Sequence, residues 1–257
     1  MYSIDLNGKN GVIVGVANDR SIAWGIASIL AQAGARLALT YQNDRVKDRV
    51  TKLADTLDGA ITMPCDATDD TQVEDVFKQV GDSFGEISFL VHSIAFANRE
   101  DLTGSFSDIS RDGFRIALEV SAYTLLPLVH HAARLMPAGG SVVTMTFDAS
   151  QRVYPGYNIM GTAKAALEHE VRQLAAEHGG QNIRVNAISA GPLDTLSARG
   201  IGGFQDMKRQ HSVIAPLGRN ISMDEVSKTA LFLCSDLSSG ITGSIIPVDA
   251  GYHIMAV

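Results

Sequence analysis

The sequence predicts an α/β fold, in which helices doubly wind a Rossmann-like parallel sheet of about seven strands. Short apolar runs, of which residues 11–16 are the first, are typical of strands buried on both faces. Amphipathic stretches of ten or more residues separate these runs, and this alternation requires right-handed crossover connections. The 257-residue chain lies near the top of the single-domain range and has no repeats or Pro/Ser-rich linkers. We therefore expect one domain over residues 1–257.

The predicted elements follow one another in a regular order. We predict strands at residues 11–16, 36–40, 60–64, 87–93, 141–146, 184–189 and 244–248. We predict helices at residues 22–33, 44–57, 70–84, 111–136, 155–178 and 223–234. Gly34 closes the first helix, and Pro155 marks the start of the fifth. Ligands of such sheets bind outside the carboxyl ends of the strands, so the residues that follow each strand are candidates for a site.

Composition and charge exclude several classes of function. The net charge of −7 argues against nucleic-acid binding, because a polyphosphate partner requires a basic surface. Cys65 and Cys234 form no C-x-x-C pair, so we expect neither a disulfide framework nor a metal site. The start of the chain lacks the features of a signal peptide, and no uncharged apolar stretch reaches roughly 18 residues. We expect a soluble cytoplasmic protein with no membrane span.

The loop after the first strand contains Gly15, and the next helix begins near Ser21 and Ile22. Ser21 is a favourable N-cap residue, and the positive end of this helix suits a pyrophosphate. The G-x-G-x-x-G fingerprint is absent, since only Gly15 and Gly25 lie near that frame. The segment is therefore either a dinucleotide-binding turn or an ordinary capped turn between a strand and a helix.

The second and third strands end in residues that bear on the adenosine half of a dinucleotide. Gln42 stands where an NAD-specific site often has a carboxylate, and no arginine directly follows the strand to bind a 2′-phosphate. Asp44 lies at the start of the helix and Arg45 is near, so the segment favours NADH without deciding the question. Asp66, after the third strand, either accepts a hydrogen bond from the adenine amino group or caps the next helix.

The fourth strand is followed by Ser93, Ile94 and Ala95, which leave room where the backbone must approach a cofactor closely. His92 has no partner at a motif spacing, so we interpret it as a packed histidine rather than a catalytic base.

Tyr157 and Lys164, at the beginning of the fifth helix, are the candidate reaction centre. The spacing alone is a weak signal, and its context makes it specific. The supporting segments are Gly15-x5-Ser21-Ile22-Ala23, Tyr41-Gln42-Asn43-Asp44, His92-Ser93-Ile94-Ala95-Phe96, Arg184-Val-Asn-Ala-Ile-Ser-Ala-Gly191-Pro192 and Val248-Asp-Ala-Gly. With these segments, the chain resembles the short-chain dehydrogenase/reductase superfamily over its whole length. It resembles most closely a divergent branch, the enoyl-acyl carrier protein reductases of bacterial fatty-acid synthesis.

The resemblance implies that NADH reduces the trans-2 double bond of an enoyl thioester, which is the last step of fatty-acid elongation. It implies that Tyr157 donates a hydrogen bond to the thioester oxygen, and that Lys164 holds the nicotinamide ribose and increases the acidity of Tyr157. Most of the superfamily has Tyr-x3-Lys, which would put the tyrosine at the position of Met160. The displacement, about 4.5 Å along a helix, suits a reaction in which the charged oxygen lies away from the carbon that accepts hydride.

The resemblance also assigns binding residues and an assembly. The implied cofactor-binding residues are Gly15, Ser21, Ile22, Gln42, Asp66, Ala67, Ser93, Ile94, Ala95, Lys164, Gly191, Leu193 and Thr195. The implied substrate-binding residues are Phe96, Phe147, Tyr157, Met160, Ile201 and Phe204. Residues 196–212 resemble the mobile substrate lid of the family, and such lids exclude water. The resemblance implies a homotetramer, with interfaces at the helices around 125–135 and 165–174, and an acyl carrier protein that bears the substrate.

Three residues depart from the family pattern or from that of its carbonyl-reducing relatives. Phe147 replaces a second active-site tyrosine, which leaves the preferred acyl chain length open. Asp194 stands where the family usually has a basic residue, and we expect it to point away from the pyrophosphate. Thr144 occupies the position of a catalytic serine in the carbonyl-reducing relatives, and we interpret it as structural.

The lid also lacks the family's usual cations. An acyl carrier protein is acidic, yet the chain has Gly202, Gln205 and Asp206 where the family tends to place basic residues. Lys208 and Arg209 follow directly. They are either carrier-docking residues or a solvated charge cluster.

Two other functions are compatible with the fold. A carbonyl or alcohol oxidoreductase of the same superfamily is disfavoured by the longer Tyr-to-Lys interval and by the absence of an NNAG-like segment. A sensor that binds NAD without turnover is disfavoured because Tyr157 and Lys164 are both retained.

Overall fold

Seven parallel strands form one sheet in the computed structural model, which describes residues 4–196 and 198–256. The strands are β1 (Asn10–Val14), β2 (Arg36–Tyr41), β3 (Ile61–Pro64), β4 (Phe89–His92), β5 (Gly140–Thr146), β6 (Ile183–Ala190) and β7 (Ile245–Val248). Their order across the sheet is β3-β2-β1-β4-β5-β6-β7, and each neighbouring pair is parallel. The predicted doubly wound sheet is confirmed, with strand bounds that differ from the prediction by a few residues.

The winding of the chain reverses between β1 and β4. From β1 the chain first adds β2 and β3 on one side, and it then returns to place β4 on the other side of β1. The helices that follow β1 and β4 therefore cross to opposite faces of the sheet, which opens a crevice at its carboxyl edge. This topology positions the site.

Helices cover both faces of the sheet. The helices among the described residues are α1 (Ile22–Gln32), α2 (Asp44–Ala54), α3 (Asp70–Phe84), α4 (Arg111–Leu118), α5 (Leu125–Arg134), α6 (Asn158–His178), α7 (Phe204–Ile214) and α8 (Met223–Cys234). Successive strand residues point to opposite faces, so Ile13 packs with α1, α2 and α8, whereas Val12 packs with α3, α5 and α6. Each fully buried side chain of this size contributes roughly 1.5–3 kcal/mol. Among the described residues, no helix combines the length and the apolar character that crossing a membrane requires.

The prediction of one continuous helix over residues 111–136 is wrong, because the segment forms two helices, α4 and α5, separated by a π-helical turn at Glu119–Tyr123. Pro127 explains the break. A proline has no N–H to donate to the carbonyl of Tyr123 four residues earlier, and its ring would clash with that carbonyl. In the first turn of α5, however, proline is tolerated.

The predicted start of the fifth helix at Pro155 is also wrong, since α6 begins at Asn158 with Tyr157 as its N-cap residue. Gly156 has a φ of +81°, which is incompatible with a helix, and a Cβ there would lie 2.5 Å from the carbonyl oxygen of Gly202. The 4.5 Å displacement expected for a helical Tyr157 therefore does not apply, because the residue precedes the first helical position.

The lid segment at 196–212 contains a helix that the sequence analysis missed. Residues 198–200 form a 3-10 turn, and α7 begins at Phe204. Phe204, Met207, His211 and Ile214 recur at helical spacing, and this periodicity is the signal that would have predicted α7.

Gly15 holds the loop after β1 against the loop after β4. Its φ is +108°, and a Cβ there would overlap the carbonyl group of Ser93. Glycine therefore permits the two strand ends that border the crevice to touch through their backbones.

We expect Gly15→Ala to lower the free energy of unfolding by roughly 2–5 kcal/mol, because it adds backbone strain to a steric overlap. Gly8→Ala is the matched control. Gly8 also has a positive φ, +75°, but no atom within 4 Å of the added Cβ, so the loss should be about 1–2 kcal/mol. Urea denaturation measures both values, and equal losses would show that the contact with Ser93 is unimportant.

Candidate active site

A cleft of about 590 Å³ opens at the carboxyl edge of the sheet. Its lining includes most of the predicted residues, which come from segments far apart in the chain: Gly15, Ser21, Ile22, Ser93, Ile94, Ala95, Phe96, Phe147, Tyr157, Met160, Lys164, Gly191, Leu193, Thr195, Ile201 and Phe204. The sequence analysis missed further lining residues: Ala17, Asn18, Ala97, Arg99, Leu102, Met145, Thr146, Ala190, Pro192, Leu196, Ala198, Gly200 and Met207. Most of these lie beside a predicted residue, so their proximity in sequence was the available signal.

The loop between β1 and α1 is closed by Ser21 in a way that differs from the expectation. Its hydroxyl oxygen accepts hydrogen bonds from the backbone N–H groups of Ala17 and Asn18, each at 3.1 Å. The side chain makes no capping bond to α1, so its predicted role as an N-cap acceptor is wrong. Ser21 and Ile22 line the cleft, so the N-terminus of α1 borders it without a side-chain cap, which is an arrangement suited to a phosphate anion.

Gln42, Asp66 and Ala67 do not line the cleft, although they follow strands at the same edge of the sheet. Gln42 is exposed directly after β2. The carboxylate of Asp66 accepts hydrogen bonds from the N–H (3.1 Å) and the hydroxyl (2.8 Å) of Thr68. Asp69, not Asp66, caps α3, so the capping alternative for Asp66 is wrong.

Tyr157 lies at the N-terminus of α6, half-buried against Phe147. The centroids of the two rings are 5.1 Å apart at an interplanar angle of 64°, an edge-to-face contact. Burial raises the pKa of Tyr157 above its ordinary value. The expected increase in its acidity through Lys164 is therefore outweighed in this structure, and the phenol stays protonated at neutral pH. A protonated phenol is a hydrogen-bond donor.

Lys164 is buried two turns into α6, and its Nζ donates a hydrogen bond to the carbonyl oxygen of Met145 at 2.8 Å. Burial lowers its pKa to about 8, and the negative charge of Glu168 opposes that shift. Glu168 is also buried, and it accepts a 2.8 Å hydrogen bond from the hydroxyl of Thr146. At pH 7 the ammonium form predominates, with donors left for a ligand in the cleft.

Glu168 was missed by the sequence analysis. It follows Lys164 by four residues on the same helix, and this spacing places opposite charges on one face. The spacing was the available signal, although only the structure shows that both groups are buried.

His92 and Thr144 have the structural roles that the sequence predicted. His92 is fully buried, and its ring nitrogens lie 2.8 Å from the Thr144 hydroxyl and 3.0 Å from the Thr124 hydroxyl. Burial, and then the charge of Lys164, lower its pKa to about 3. A neutral imidazole held by two hydroxyls does not serve as a general base near pH 7.

The lid contributes apolar side chains to the cleft, and the charged side chains described at residues 206, 208 and 209 do not line it. Phe204 and Ile201 line the cleft, whereas Asp194 does not and forms an ion pair with Lys208. This agrees with the expectation that Asp194 points away from a pyrophosphate. Arg209 pairs with Asp206 at 3.0 Å. Both cations that were candidates for carrier docking thus have a carboxylate partner within this chain.

Known proteins resemble this chain over almost all of its length. The family model described as Enoyl-(Acyl carrier protein) reductase matches residues 15–253. The enoyl-[acyl-carrier-protein] reductase [NADH] 1 of Rhizobium meliloti (strain 1021) is 49% identical over 252 residues, which are 98% of this chain and 93% of the relative. The Bacillus cereus enoyl-acyl carrier protein reductase, solved with NADP+ and indole naphthyridinone, has a TM-score of 0.96 and 48% identity, and the match covers 98% of this chain and 100% of that one. The Anaplasma phagocytophilum reductase, solved with NAD, has a TM-score of 0.95 and 42% identity, covering 98% and 96%.

We expect Glu168→Gln to lower the pKa of Lys164 further below 8, because the amide removes the negative charge that favours the ammonium. The titration of the Lys164 Cε resonance by ¹³C NMR measures this, and Lys164→Met assigns the signal. The control is Glu177→Gln, an exposed carboxylate near the far end of the same helix. Equal titration curves for Glu168→Gln and the unmodified chain would contradict the role of Glu168.

Proposed function

The chain belongs to the enoyl-(acyl carrier protein) reductase family, and from that premise we propose how its residues perform the family's reaction. The protein is an NADH-dependent enoyl-acyl carrier protein reductase, which reduces the trans-2 double bond of an enoyl thioester in the last step of fatty-acid elongation. The observation that carries the proposal is the pairing of a protonated Tyr157 with a buried Lys164 in one cleft.

The cleft fits a nicotinamide dinucleotide. The N-terminus of α1 has no side-chain cap from Ser21. Gly15 has no Cβ, so the loop between β1 and α1 can lie against the backbone of Ser93. A pyrophosphate can therefore lie against the backbone N–H groups of the helix. Residues of two other loops, which follow β4 and β6, would border the remaining length of the cofactor: Ser93, Ile94, Ala95, Gly191, Leu193 and Thr195. Gln42, Asp66 and Ala67 would contact the adenosine, beyond the cleft. Lys164 would hold the nicotinamide ribose hydroxyls with its remaining N–H donors.

Bound NADH supplies the hydride that adds to the β-carbon of the enoyl thioester. Negative charge then develops on the thioester oxygen, and the Tyr157 hydroxyl donates a hydrogen bond to it, as an oxyanion-hole donor does. The raised pKa of Tyr157 keeps this donor protonated before the reaction. The nearby ammonium of Lys164 further stabilises the anionic oxygen, and the α-carbon takes a proton from water to complete the saturated thioester.

The acyl group would lie against the apolar part of the cleft. Phe96, Met160, Ile201 and Phe204 all line it, and Phe147 packs against Tyr157. A phenyl ring at position 147 shapes the channel but cannot donate a hydrogen bond. Tyr157 is the one phenol among the described residues that line the cleft, so we assign the hydrogen bond to the thioester oxygen to it alone.

We also propose a cytoplasmic homotetramer that receives its substrate from an acyl carrier protein. Two aromatic side chains are exposed here, Phe114 on α4 and Tyr123 in the adjoining π-helical turn. They support a subunit interface that includes these two elements. Helix α6, which includes residues 165–174, packs beside α4 and α5. Size-exclusion chromatography with light scattering tests the assembly.

The test of the function is an assay with purified protein, NADH and a trans-2-enoyl thioester, followed by the loss of NADH absorbance. We expect turnover with the thioester and none with simple ketones. Turnover of ketones alone would favour a carbonyl oxidoreductase, and tight NADH binding without any turnover would favour a sensor.

We expect Tyr157→Phe to lower kcat by roughly 100- to 1,000-fold, the usual effect of removing one oxyanion donor, with the Kd for NADH unchanged. Tyr154→Phe is the matched control, because its hydroxyl bonds to Asp148 at 2.9 Å and the residue does not line the cleft. Steady-state kinetics and NADH fluorescence titration measure the two effects. A Tyr157→Phe enzyme with unaltered kcat would disprove the assigned role.

We expect Gln42→Arg to shift the ratio of Kd values for NADPH and NADH roughly tenfold towards NADPH, because a guanidinium binds the 2′-phosphate and the amide does not. Gln42→Glu should shift the ratio in the opposite direction. Fluorescence titration with each nucleotide gives the Kd values. If neither variant changed the ratio, position 42 would lie away from the adenosine ribose.

A further inference from the structure

We propose that Arg99 binds the phosphate group of the pantetheine arm that carries the enoyl chain. This proposal rests on the proposed function, since it requires a pantetheine thioester as substrate. Such an arm bears a phosphate ester at the end remote from the thioester, and it must extend from Tyr157 to solvent. A cation at the opening of the cleft would meet that phosphate.

Arg99 lies where the cleft meets solvent. It begins a short 3-10 helix, Arg99–Leu102, in the loop that follows β4. Arg99 is exposed and lines the cleft, whereas Leu102 at the other end of the same turn is buried and lines it from inside. The turn therefore has an apolar inner end and a cationic outer end.

The charges in the cleft favour this role. Among the described side chains, its lining contains no carboxylate, and the basic residues that line it are Lys164 and Arg99. Lys164 is buried beside the reaction centre and bonds to Met145. Arg99 forms no ion pair or side-chain hydrogen bond with any of the described residues. The adjacent Glu100 does not line the cleft.

The other described cations near the cleft, Lys208 and Arg209, form ion pairs with carboxylates. Lys208 pairs with Asp194, and Arg209 pairs with Asp206. Among the side chains that the structure describes around the opening, Arg99 is thus the cation without a carboxylate partner, so its charge is available to a ligand. A guanidinium also matches phosphate oxygens with two parallel N–H donors, which an ammonium does not.

The test compares two substrates that differ only in the phosphate: trans-2-butenoyl-pantetheine and trans-2-butenoyl-4′-phosphopantetheine. We expect Arg99→Gln to lower kcat/KM for the phosphorylated substrate roughly 5- to 20-fold, mainly through KM, and to leave the unphosphorylated one unchanged. The expected loss in kcat/KM is near the lower limit for a charge-assisted hydrogen bond, because Arg99 is exposed and salt screens its charge. Arg99→Lys should recover part of the loss.

The matched control is Arg111→Gln, an exposed arginine at the start of α4 that does not line the cleft, and it should affect neither substrate. Equal effects of Arg99→Gln on both substrates, or none on either, would overturn the proposal. So would a weakened Kd for NADH, since Arg99 would then serve the cofactor phosphates.

Two further arms identify the source of the phosphate. The same loss is expected with butenoyl-acyl carrier protein, whose arm bears this phosphate as a diester, and with butenoyl-coenzyme A. A loss confined to coenzyme A would assign Arg99 to its nucleotide and overturn the proposal. If the unmodified protein turned over none of these thioesters, the proposed function would fail separately, and calorimetric binding of the saturated butyryl pairs would still test Arg99.

Discussion

The site depends on the burial of one ammonium group at the carboxyl edge of the sheet. Lys164 loses its hydration when α6 packs beside β5, and the carbonyl of Met145 and the charge of Glu168 replace part of it. Glu168 is in turn held by Thr146, which neighbours Met145 on β5. Helix and strand are therefore joined by polar contacts as well as by packing. Any shift of α6 would leave a buried charge without its partner, so the position of Tyr157 at the end of this helix is determined as well.

The distribution of charge separates the cleft from the rest of the molecule. The chain has a net charge of −7, yet among the side chains that the structure describes no carboxylate lines the cleft, whereas the basic residues Arg99 and Lys164 do. Asp194, which precedes the lid, and Asp206 within it form ion pairs and do not line the cleft. An acidic protein thereby presents a locally positive site, which suits a dinucleotide and a phosphorylated thioester.

The strands were predictable because a parallel strand buried on both faces leaves a continuous apolar run in the sequence. The predicted helix bounds are wrong where the residue pattern of a segment conflicts with the backbone geometry that one of its residues requires. Apolar residues continue through 111–136, but Pro127 interrupts the hydrogen-bond ladder and produces a π-helical turn. Pro155 is typical of a helix start, but the positive φ of Gly156 is incompatible with a helix, so α6 begins at Asn158. In both cases the backbone chemistry of one residue outweighed the periodicity of its neighbours.

The sequence by itself determined the alternation of strands and helices, the family, and the spacing of Tyr157 and Lys164, because these are properties of adjacent residues. The tertiary structure decided which groups share the cleft and in what state. It brought Glu168 to Lys164 in a buried environment, kept Tyr157 protonated, and left Arg99 at the opening with no charged partner among the described residues. Burial and ion pairing depend on segments that are distant in the chain. The periodicity of a single segment carries no information about them.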